Sequence, residues 1–87
     1  MLTSVGWRIR YSRVLDKYAE RLANVRSIYR NSASKGFDTI LINAYNEVFW
    51  ARSDLSAGNI GSNRRACVRR AVRAVGEYLK MSREGVL

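Results

Sequence analysis

"FDTILINAYNEVFWARSDL", residues 37–55, decides the fold. Phe37, Leu41, Ala44, Val48, Ala51 and Leu55 recur in steps of four and three. That spacing returns to one face of a 3.6-residue helix and predicts a helix over about 35–56. Ile40, Ile42, Tyr45 and Phe49 widen the apolar arc to roughly half of the circumference or more. A helix this apolar either forms the centre of a bundle or also faces another subunit. Trp50 stands apart. It falls near Thr39, Asn43 and Asn46, away from the apolar arc.

Turn-forming stretches flank this segment. "NSASKG" (31–36) precedes it and "SAGNIGSN" (56–63) follows it. Gly, Ser and Asn favour turns and helix caps. Ser34 is the expected N-cap of the central helix, and Gly58 its expected stop.

The segment before it repeats the four-three rhythm through Tyr11, Leu15, Tyr18, Leu22, Val25 and Tyr29, with Trp7 and Val14 on the same face. It predicts a helix over about 4–30, capped by Thr3 or Ser4. Trp7 and the tyrosine row belong to the expected core. The segment after it places Val68, Val72, Val75 and Leu79 on one stripe, and Cys67, Ala71, Ala74 and Tyr78 on an adjoining one. It predicts a helix over about 63–82, capped by Ser62 or Asn63, with Gly85 beyond its end. Cys67 reads there as a small buried hydrophobe. The whole chain is one all-α domain. It is expected as a three-helix up-down-up bundle of long antiparallel helices. Three helices leave part of the central one uncovered, which points to completion by a homodimer or a partner.

Charge sets the class of partner. Lys plus Arg outnumber Asp plus Glu by 16 to 7, a net charge of +9 over 87 residues. All the cations except Lys17, Lys35 and Lys80 are arginine, the residue that pairs bidentately with phosphate or carboxylate. The third helix opens on Arg64 and Arg65 and adds Arg69, Arg70, Arg73 and Lys80. Helix N-termini favour anions, and like charges at i, i+4 repel. No Asp or Glu lies four residues before Arg65, Arg69 or Arg73. These terms cost the isolated helix about 1 kcal/mol. A face kept only for solubility would more cheaply mix signs. On the first helix, Arg10, Arg13, Lys17 and Arg21 form a second basic row beside Asp16 and Glu20. If that row adjoins the third helix, the two make one basic trough.

This pattern suits a non-enzymatic protein that binds the phosphate backbone of nucleic acid. The alternative is an adaptor or inhibitor of phage or mobile-element type, clamping an acidic surface of a host protein or nucleoprotein, with Trp50 as an apolar anchor. Catalysis is not expected. Histidine, the commonest general base and metal ligand, is absent from the chain. Cys67 has no His partner to activate it, and "GNIG" is a short turn rather than a phosphate loop. No metal, cofactor or small-molecule substrate is expected. A single cysteine, no long apolar run and no leader-like apolar stretch lead to the expectation of an intracellular, cytoplasmic protein away from membranes.

Overall fold

In the computed structural model, residues 4–29, 35–58 and 61–83 are described. They form three α-helices: α1 (Ser4–Tyr29), α2 (Lys35–Ser56) and α3 (Ser62–Arg83). The chain is an all-α three-helix bundle, 46 Å along its longest axis and 20 × 17 Å across. No described helix is long and apolar enough to cross a membrane.

α2 is the central element, packed closely against both α1 and α3, which approach each other less closely. The four-three stripe of α2 supplies Phe37, Leu41, Ala44, Val48 and Ala51 to the core, all buried. α1 adds Leu15 and Leu22, and α3 adds Val68, Ala71, Val72 and Val75. Leu15 and Leu22 are wholly enclosed, so each contributes about 1.5–3 kcal/mol of burial. Polar cross-links fix the helix directions. Arg52 of α2 donates to Asp16 of α1 at 2.8 Å. The rings of Phe37 and Tyr78 pack at 5.2 Å, tying the start of α2 to the end of α3. Arg64 at the start of α3 meets Asp54 near the end of α2. Neighbouring helices therefore run antiparallel, and α1 and α3 run the same way.

Gly58 stops α2 as its position predicts. Its φ is 76°, the left-handed region that glycine enters without strain. Its N–H donates to the Leu55 carbonyl at 3.0 Å, and the Ala57 N–H to the Ser53 carbonyl at 3.1 Å. A Cβ at Gly58 would also lie 2.7 Å from the Arg8 guanidinium. The start of α3 differs from expectation. The Arg65 N–H donates to the Gly61 carbonyl at 3.2 Å, so Gly61 holds the cap position and Ser62 is already helical. Neither Ser62 nor Asn63 is the cap. The Ser34 and Thr3 caps and Gly85 lie outside the described residues.

Two side-chain expectations are corrected. Cys67 is exposed, not buried. Its stripe runs along the edge of the bundle: Ala71 is buried, while Ala74 and Tyr78 are half-buried. Trp7 is likewise half-buried at the rim, and Tyr11 and Tyr18 pack against the core without being enclosed by it.

Candidate functional site

The looser α1/α3 seam opens into a groove of about 490 Å³. Its floor is apolar: Leu22 and Val25 from α1, and Val72, Val75 and Leu79 from α3. Its rim is basic: Arg21 from α1 faces Arg69, Arg73 and Lys80 from α3. All four cations are exposed. Helical phase explains the meeting. Arg69, Arg73 and Lys80 lie within about 40° of one another on α3, on the side turned toward α1. Arg21 projects from the flank of the α1 stripe that looks back at them. Glu77 is the one carboxylate among the lining residues. No ion pair engages these four cations among the described residues.

Near the end of the groove, Arg65 crosses to α1. Its guanidinium carbon lies 5.2 Å from the centre of the Trp7 ring, a cation–π contact. Trp7 in turn lies parallel to Tyr11, with ring centres 5.8 Å apart. The Tyr11 hydroxyl is held above its ordinary pKa of 10.0, first by desolvation and then by Tyr18, while Arg65 and Arg69 pull it back down. This small stack bridges α1 and α3, whose backbones approach each other less closely than either approaches α2.

Arg64 behaves differently. Its Nε donates to Asp54 at 2.9 Å and its Nη1 to Glu47 at 3.0 Å. The side chain is part-buried against α2. The hydrogen bond to Asp54 is the largest influence holding it in its charged form, against some desolvation. Its charge is thus met within the chain, and its place at the start of α3 is structural. The anions that the first turn of α3 lacks in sequence are supplied by α2.

The other candidate residues fall outside the groove. Arg70 is exposed on α3 but does not line it. Arg10, Arg13 and Lys17 line a separate hollow on α1 with Gly6, Ile9 and Val14. The trough suggested by the two basic rows is therefore built from one α1 residue, Arg21, and three α3 residues. The rest of the α1 row continues along the flank. Trp50 is exposed, as its phase indicates, and packs edge-on against Phe49 at 5.5 Å. Gly76 is a groove residue that charge and motif do not mark. Its signal is a glycine in mid-helix, where it costs stability relative to alanine.

Among the described residues, no group of three or more His, Cys, Asp or Glu could hold a metal ion. Comparison with protein-family models, curated proteins and solved structures gives no match for this chain.

Proposed function

We propose that this is a non-enzymatic protein that binds nucleic acid through its phosphate backbone, along the α1/α3 groove. The observation that carries the reading is the convergence of Arg21 with Arg69, Arg73 and Lys80. These are four exposed cations from two helices on one groove, against one lining carboxylate, Glu77, and none of the four is held in an ion pair among the described residues. Arg69 and Arg73 are separated by about 6 Å along the helix axis. Such a row suits a linear array of anions better than a single one. Bases need not be read, because backbone contacts position a protein without sequence information. Arg10, Lys17 and Arg70 extend the positive field beyond the groove and would steer approach.

The apolar floor favours a second reading. A phosphate backbone makes little use of Leu22, Val25, Val72 and Leu79. An acidic amphipathic helix from a protein partner would use both floor and rim, completing a four-helix arrangement.

Titration of labelled duplex and single-stranded DNA and RNA across a salt series decides between them. Four phosphate contacts give a slope of log K against log salt of about −3.6 for duplex or −2.8 for single strands. Raising salt from about 50 to about 200 mM should then weaken binding by about 50- to 150-fold. No binding at low salt, or a flat response, overturns the nucleic-acid reading. A partner that stays bound after nuclease treatment supports the second.

A further inference from the structure

The outer face of α2 carries a second seam. Ile42, Asn46, Phe49 and Ser53 recur in steps of four, three and four, the spacing of a coiled-coil contact line. With Trp50 they occupy an arc of about 100° that points away from α1 and α3. All five are exposed. Ile42 is 58% exposed, Phe49 63% and Trp50 52%, although three large apolar side chains along one helix face are costly to leave in water. The heptad stripe that builds the core lies on the opposite side of the same helix.

We propose that this face pairs with the same face of a second copy of the chain, α2 against α2 and antiparallel, about a two-fold axis at Asn46. The inference does not depend on what the groove binds. Position 46 lies midway between the Ile42 and Trp50 anchors, so a two-fold axis there sets Asn46 against Asn46 of the second copy. A side-chain amide carries both donors and an acceptor, so two of them satisfy each other. One buried Asn in an apolar seam is also a device that fixes register and orientation. The same axis sets Ile42 against Trp50 of the second copy, twice, with the Phe49 rings beside them.

Charge selects this occupant. A net charge of +9 opposes self-association in general. On α2, however, Asp38, Glu47 and Asp54 stand against Lys35 and Arg52, so this helix is the near-neutral surface of a basic protein. Asp38 and Arg52 lie on one flank of the seam, on either side of Asn46. Antiparallel pairing brings Asp38 of each copy to Arg52 of the other. Arg52 already donates one nitrogen to Asp16, and its guanidinium keeps further donors for a second carboxylate. The two basic grooves then face outward on opposite sides of the dimer.

Sedimentation equilibrium from about 10 µM to about 1 mM tests the pairing. The mass should rise from 9.9 kDa toward twice that value. Phe49→Glu should raise the dissociation constant by about 30-fold or more, as loss of a central anchor does. Because Phe49 is exposed, helicity should be unchanged. Orientation is read by crosslinking. On a Cys67→Ser background, Asn46→Cys should oxidise to a covalent dimer. Asp38→Cys should not, because the two copies of that position lie about 24 Å apart, beyond disulfide reach. A mass of 9.9 kDa at every concentration, a dimer indifferent to Phe49→Glu, or crosslinking at position 38 in place of 46 would overturn the proposal. Phe49 lies away from the groove, so failure here leaves the salt-series result standing, and the reverse.

Discussion

α3 makes two seams of opposite character. Against α2 it is closed. Phe37 meets Tyr78, and Arg64 is held by Asp54 and Glu47. Against α1 it is open. An apolar floor lies between cations that make no ion pair among the described residues, with Glu77 the one carboxylate beside them, and the Trp7–Arg65 contact crosses at one end. Arg64 and Arg69 sit on one helix and differ in what stands opposite. α2 places carboxylates across its seam. α1 places Arg21 across its own, with Asp16 turned toward Arg52 of α2. The sign of the facing residue, more than the arginine itself, separates a structural charge from one available to a partner.

The largest expected effect tests whether the open seam still rests on the core. Leu22 is fully buried yet lines the groove floor. Leu22→Ala should cost about 2–5 kcal/mol in denaturant unfolding. A chain of this size has a total stability of only about 4–13 kcal/mol. Ile28 on the same helix is 72% exposed, and Ile28→Ala should stay within about 0.5 kcal/mol. A small loss at Leu22 would mean that the groove floor contributes little to holding the bundle together.

The next effect sets the two seams against each other by charge. Arg69→Gln with Arg73→Gln should lower the salt slope of nucleic-acid binding by about 1.4–1.8, as two phosphate contacts disappear. The melting temperature should hardly move. Arg64→Gln should do the reverse: a lower melting temperature, because Asp54 and Glu47 lose their shared partner, and an unchanged slope. Matching salt slopes for the two variants would remove the distinction between the seams.

Much of this arrangement is legible in the sequence, and the losses have a common cause. Hydrophobic period fixes the phase of each helix, which is why Leu15, Leu22, Val48 and Val68 fall inside and why Arg69 and Arg73 share a row. Period does not say which neighbour a given flank meets. The carboxylates that hold Arg64 lie ten and seventeen residues away in sequence, so a count of acids four residues upstream on α3 misses them. Cys67 follows an apolar stripe as far as the edge of the bundle, where it stays exposed. Ile42 and Phe49 widen the α2 arc in sequence, but two neighbouring helices cover only its centre. Trp7 shares a stripe with Leu15 and Leu22, yet sits near the end of α1, where the only cover described above it is the Arg65 side chain.

Gly76 gives the smallest effect and the finest test. It lies on the groove wall in mid-helix, and a Cβ there would meet nothing within 4 Å. Gly76→Ala should therefore stabilise the bundle by about 0.5–1 kcal/mol, since alanine loses less backbone entropy in a helix. A packed seam would not tolerate an added side chain so easily, and the closed α2/α3 seam has no comparable site described. Gly76→Leu uses the same open space but projects an apolar side chain among Arg69, Arg73 and Lys80. It should keep the helix and weaken binding, by obstructing the line along which the anions must pass. Equilibrium unfolding reads the first variant and anisotropy titration the second. If Gly76→Leu binds as tightly as the parent chain, the ligand does not enter the groove, and the cations act from its outer rim.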